Sequence, residues 1–251
     1  TVTDTDGNVM PDVYFTISRS NALSRVGNVI TSGGADDLTL DELTPSAQSA
    51  KLATNTAIFS GLTGANGTAT FNLRQDLSSG LKTTLTATVT NNTTLKASLD
   101  AIFTVITSPN SAKANYWGHM PETATTSDGV IFSRPLLAAE VSSSNTSYGA
   151  NGELWSSVSA SNLDKTGITG CDAQRQPLYS QLLTLYNDNQ NGAVGTLYGW
   201  PITGVDNYWW AVDQDEATHA RQALNLSNGQ KRTTTSTSSI YRQVCLVNAR
   251  E

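Results

Sequence analysis

Few residues in this chain have types and spacings that suit chemistry. There are two histidines, two cysteines and 21 acidic side chains among 251 residues. His119 sits among aromatics in "YWGHMP", which reads as a packed, hydrogen-bonded histidine. His219 follows Glu216 by three positions in "DQDEATHARQAL", a stretch that predicts a short helix. On a helix that spacing would bring the two side chains to one face, where they could share a metal ion, although a solvated polar face is the plainer reading. Asp213, Asp215 and Glu216 form an acidic cluster whose oxygens would suit a hard cation such as calcium. "DTDGN" near the start has calcium-loop residues, but its glycine is out of place and a hairpin turn accounts for it better. A G-x-S-x-G nucleophile elbow, an H-E-x-x-H pair, zinc-type Cys/His spacing and a glycine-rich phosphate loop are all missing from the sequence. The expectation is therefore a protein without a catalytic site, metal or cofactor.

The other concentration is aromatic. "LYGWPITGVDNYWWAVD", residues 197–213, holds three of the chain's five tryptophans. Trp200 and Trp209 read as core, because a lean domain needs large buried side chains. Neighbours on a strand face opposite sides, so Trp209 inward would turn Tyr208 and Trp210 outward or toward a domain junction. Trp and Tyr are enriched among interface hot spots. Tyr208 and Trp210, with Asp213 at the end of the segment, are thus candidate contact residues.

The elements that must carry these residues fall into two parts. Residues 1–107 read as all-β. Val13, Phe15 and Ile17 alternate inward against Tyr14, Thr16 and Ser18, and "TATFNL", "TLTATV" and "AIFTVI" continue the pattern. Turn chemistry at Asp6-Gly7-Asn8, Gly64–Gly67 and Ser78–Gly80 separates them, which predicts a β-sandwich. Residues 24–56 lack a period and read as a long loop with one helical turn near Leu38–Leu43. "TSPNSAKAN" reads as a junction. Residues 108–251 then predict an α+β domain. Its clearest helix is "QPLYSQLLTLYNDN", with Pro177 at the first helical position and Leu178, Leu182 and Leu185 on one face. The whole chain is expected to be mainly β with some α.

Net charge is −6 without a block of Lys or Arg, which disfavours nucleic acid and anionic membranes as partners. No apolar run reaches the ~18–20 residues of a bilayer span, and no basic amphipathic element accompanies the tryptophans, so direct membrane insertion is not expected. Cys171 and Cys245 are either two buried thiols or one disulfide, and the Ser/Thr/Asn-rich composition favours the secreted setting in which a disulfide persists. Closing a loop of about 75 residues would stabilise by roughly 4 kcal/mol. The chain starts inside a structured unit, which reads as a piece of something longer.

"VTDTDGNVMPDVYFTI", "FSGLTGANGTATFNL" and "GLKTTLTATV", in that order, resemble a bacterial immunoglobulin-like domain of the intimin/invasin type. The family's first strand would lie upstream of Thr1, and the 24–56 loop is longer than usual. Cys171, the "PLYSQLLTLY" helix, "YGWP", "YWWAVD" and "YRQVCLV" resemble the C-type lectin-like adhesion domain of intimin/invasin-type inverse autotransporters. The resemblance implies a virulence-associated adhesin displayed from the outer membrane on the bacterial cell surface, binding a host protein and not an enzyme. The host partner would be a cell-surface receptor. Capture of a soluble protein such as immunoglobulin or matrix, or a role as spacer or self-association module, are the alternatives. In some relatives an aspartate near the first cysteine contacts the receptor, which makes Asp172 a candidate. The calcium tripeptides of sugar-binding lectins are missing from the sequence, so a protein ligand is expected.

Overall fold

The structure, a computed structural model, describes residues 1–30, 38–52, 59–75, 79–141, 146–163, 165, 170–203 and 207–250. The chain divides into two compact units, Thr1–Val105 and Ile106–Glu251.

In the first unit the described strands are β1 Tyr14–Arg19, β2 Leu38–Thr44, β3 Ser49–Leu52, β4 Phe59–Leu62, β5 Thr70–Gln75, β6 Leu81–Val89 and β7 Asn92–Phe103. They form two antiparallel sheets, β4-β1-β6-β7 and β3-β2-β5. Phe15 and Ile17 alternate inward from β1 and meet Leu40, Leu52 and Phe59 in one core. The rings of Phe15, Phe59 and Phe71 lie 5.2–6.4 Å apart by centroid and tie the two sheets together.

Two expectations for this unit are corrected. Leu38–Leu43 is not a helical turn but lies in β2, which pairs on one side with β3 and on the other with β5. Leu38, Leu40 and Glu42 point inward with period 2, and two-sided pairing satisfies the backbone that a lone helical turn would leave open. Gly33, Gly34 and Thr56 fall outside the described residues. The run 101–106 is not one strand either. It divides at Thr104 between β7 and β8 Val105–Pro109.

One five-residue turn recurs at Asp4–Asn8, Ser24–Asn28, Gly64–Thr68 and Thr126–Val130. The first residue's N–H donates to the fifth carbonyl, and the fourth residue, a glycine, donates back to the first. Those glycines have φ of +69° to +86°, which an L side chain rarely adopts. At Asp4 the carboxylate accepts from Asp6 and Asn8, closing the hairpin instead of a metal loop.

The second unit carries β8, β9 Gly118–Met120, β10 Thr123–Thr125, β11 Ile131–Ser133, β12 Thr146–Ala150, β13 Glu153–Ser159, β14 Tyr208–Gln214, β15 Arg221–Asn225, β16 Lys231–Thr234 and β17 Ile240–Arg242. Its helices are α1 Tyr179–Asp188 and α2 Ala193–Tyr198. The main sheet has the order β12-β13-β17-β14-β15-β16, with β14 and β17 parallel. Leu182 and Leu185 of α1 bury completely against Trp155, Trp200 and Trp209. Pro177 lies just before the cap residue Leu178, not at the first helical position, and its carbonyl accepts from Val212. Residues 215–219 are a turn, not a helix. The Asp215 carboxylate accepts from the Thr218 N–H and hydroxyl, and His219 has φ of +54°. Residues 221–225 then pair as a strand with β14 and β16. The helical face that was to join Glu216 and His219 does not exist. Gly199 ends α2 at φ of +71°, and a Cβ there would overlap the Ile106 carbonyl.

Candidate binding surface

β14 runs through the middle of the main sheet, and both of its faces are covered. Trp209 and Ala211 look toward α1 and share the large core with Trp155, Trp200 and Phe132. Trp210 looks the other way, into a second core with Val158, Leu163, Ala223 and Tyr241. Opposite facing of Trp209 and Trp210 thus follows strand geometry, but the corollary of an outward Trp210 is corrected. It is 1% exposed, and its Nε1–H donates to the Val158 carbonyl at 2.7 Å. A residue so covered supports a surface without forming it.

Tyr208, two positions earlier on the same face, is half-buried at the rim of the second core. Its ring packs on Tyr241 at 5.4 Å, and its hydroxyl donates to Gln230 Oε1 at 2.9 Å. Arg232 reaches this face through the register Trp210–Ala223–Arg232. Its guanidinium stands 5.1 Å from the Tyr208 ring and 5.6 Å from the Tyr241 ring. The outcome is an exposed cation held over aromatic rings, beside the exposed amide of Gln230. It offers a rigid aromatic edge, five fixed N–H donors and an amide, which suits the polar and apolar groups of a protein surface. Sequence reading found Tyr208 but missed Gln230, Arg232 and Tyr241. Only the fold brings β16 and β17 beside it.

The two aspartates lie elsewhere. Asp213 accepts the Tyr179 N–H at 2.7 Å and the Gln222 amide at 3.3 Å, so it anchors the start of α1. Asp172 is partly exposed and caps the turn Ala173–Arg175. The Arg175 guanidinium at 2.8 Å, helped by the Arg175 and Gln174 N–H groups, holds its carboxyl below the usual range. Candidate contact residues therefore occupy three places, and only Tyr208 and Trp210 share one. Among the described residues, no three His, Cys, Asp or Glu side chains gather into a metal set.

Cys171 and Cys245 are joined, with Cα atoms 5.6 Å apart across 74 residues of sequence. The bond ties the Asp172 turn to the segment after β17, where Leu246 and Arg250 donate back to carbonyls of that same turn. Glu153 was not singled out by sequence. It is buried, and its carboxylate accepts from the Ser108 hydroxyl and the Asn115 and Tyr116 N–H groups. It organises the first loop of this unit. A single Glu after Asn151-Gly152 gives no periodic signal that could have flagged it.

An immunoglobulin-like sandwich followed by a C-type lectin-like domain with a closing disulfide is the architecture of intimin/invasin-type adhesins. The family model for bacterial immunoglobulin-like 21 domains matches residues 1–106. The InvE adhesion-domain model matches residues 109–246, and the chain belongs to that family. Among solved structures, adhesin InvE of Yersinia pseudotuberculosis matches with a TM-score of 0.73 and 25% identity over 94% of this chain. The match spans 61% of the InvE chain. No curated protein matches. A cell-adhesion role follows from the family.

Proposed function

We propose that the chain is the binding end of a bacterial surface adhesin, with residues 108–251 contacting a host protein and residues 1–107 acting as a stiff immunoglobulin-like spacer. The observation that carries this reading is the adhesion-domain match over 109–246. The cluster of half-buried Tyr208 with exposed Gln230 and Arg232, seated on buried Trp210 and Tyr241, supports it as the contact face. Asp172 is a second contact candidate, being partly exposed. Asp213 supports the domain through α1. The reading is non-catalytic and extracellular, without a cofactor, metal, nucleic acid or inserted membrane segment. Among the described residues, no helix is long and apolar enough to cross a membrane. The host partner is taken to be a cell-surface receptor. Immobilised chain exposed separately to host-cell membrane extract and to serum tests this choice. Retention from the extract supports it, and retention from serum alone replaces the receptor with a soluble host protein.

A further inference from the structure

We propose that the face around Tyr208 and Arg232 selects an acidic side chain of its partner protein, with the Arg232 guanidinium clamping the carboxylate and the Tyr208 ring packing on the apolar group beside it. The proposal rests on the host-protein reading above and adds the chemical group that the face takes. The chain has nine arginines. Arg74, Arg134 and Arg175 each hold a carboxylate within 3.0 Å. Arg19, Arg221 and Arg250 donate to backbone carbonyls. Arg232 is exposed, and its guanidinium has neither kind of partner among the described residues. The N–H fork of a guanidinium is planar and matches the two oxygens of a carboxylate.

Strand alternation is the cause. Lys231 and Arg232 are neighbours on β16 and face opposite sides of the sheet. Lys231 reaches the Asp215 carboxylate at 3.0 Å and stands 5.1 Å from the Tyr179 ring. Arg232 is turned to the other side, over a core of Val158, Leu163, Trp210, Ala223 and Tyr241 that holds no carboxylate. The rings of Tyr208 and Tyr241 lie 5.4 Å apart, and the guanidinium is within 5.6 Å of both centroids. Tyr241 is held in turn by Trp210 at 4.5 Å, and Tyr208 by its bond to Gln230. The cation is therefore positioned before a partner arrives, which lowers the ordering cost of binding. Gln230 adds to the same bias. Its Oε1 already accepts the Tyr208 hydroxyl, so what it has left to offer is its amide N–H pair. A face rich in donors calls for a group that only accepts, and a guanidinium binds a carboxylate through two parallel bonds. Sites for phosphate or sulfate gather several open cations. Here Lys231, the nearest cation in sequence, is paired on the opposite face.

Surface plasmon resonance on the immobilised full chain tests this with defined probes. A glutamate–tyrosine copolymer carries carboxylates beside rings, polysialic acid carries carboxylates on sugars, and dextran sulfate carries sulfates. The copolymer is expected to bind more tightly than either of the others. Arg232→Gln should weaken copolymer binding by roughly tenfold or more. Arg232→Lys keeps the charge without the fork and should also bind more weakly than the unaltered chain. Arg74→Gln removes the same charge from the first unit and should leave binding unchanged. Equal melting temperatures show that folding is intact. Copolymer binding that survives Arg232→Gln, that falls equally with Arg74→Gln, or that is weaker than that of polysialic acid or dextran sulfate would overturn the proposal, as would a copolymer that does not bind. Chain-coated beads on host cells keep the two readings apart. Beads that do not adhere contradict the host-protein reading on which the proposal rests. Beads that adhere equally well with Arg232→Gln contradict the acidic-group proposal and leave the host-protein reading standing.

Discussion

Trp209 and Trp210 are adjacent in sequence, point to opposite faces of β14 and are both buried, in two separate cores. The middle of the lectin-like sheet is thus sealed on both sides. Replacing either tryptophan by alanine is expected to cost about 3–5 kcal/mol in denaturant unfolding. Trp210→Phe removes only the indole bond to the Val158 carbonyl and some area, and should cost about 1–2 kcal/mol. A Trp210→Ala loss below about 1 kcal/mol would mean that this residue is not a core element.

Glu42 is buried in the sandwich, 3% exposed, and its carboxylate has no hydrogen-bond partner among the described residues. Nothing in the structure explains its presence there. Removing an uncompensated polar group is favourable, so Glu42→Leu should raise stability by about 1–3 kcal/mol. Lower stability in urea would show that the carboxylate is held by a partner.

The strands differ in how plainly the sequence announces them, and the difference has a physical cause. Phe15 and Ile17 alternate sharply against polar neighbours, so β1 was legible. β2 alternates only through Leu38 and Leu40 before a carboxylate, Glu42, takes the next inward place, and β7 alternates through Leu95, Ala97, Leu99 and Ala101 with alanine at every second step, so both hydrophobic periods are weak. Their pairing partners decide their form. Around Tyr208 the aromatic segment was legible, but burial of Trp210 depends on Val158 and Tyr241, more than 30 residues away on either side. The Arg232 contact depends on a sheet register that no local pattern encodes.

The Cys171–Cys245 bond closes a long loop, and its removal by paired serine substitution should destabilise the second unit by up to about 4 kcal/mol. Calorimetry is expected to show a lowered transition for residues 106–251, with the transition of the sandwich unmoved. A second-unit transition that stays in place would show that the bond contributes nothing to the stability of this unit.

Arg134 grips Glu140 with two bonds of 2.8 and 2.9 Å, and the Leu137 N–H adds a third at 3.0 Å. Burial pushes the Glu140 carboxyl up, but Arg134, Ser111 and that N–H together hold it below its ordinary value of 4.5. A carboxyl with a depressed folded pKa stabilises fully above its unfolded value. That contribution fades as pH falls through the folded value. Glu140→Gln should cost about 1–3 kcal/mol at neutral pH and flatten the loss of stability below about pH 4. Equal acid sensitivity in both proteins would contradict the assignment.

The proposed contact of the second unit with a host protein runs through the face around Tyr208 and Arg232. Beads coated with the chain, or with a Tyr208→Ala, Arg232→Glu double variant of equal melting temperature, can be counted on cultured host cells before and after surface proteolysis. Beads with the unaltered chain are expected to adhere to intact cells, while the variant beads and the protease-treated cells show at least a tenfold loss. Equal adherence by the variant, or unaltered beads that bind no better than albumin-coated ones, would contradict it.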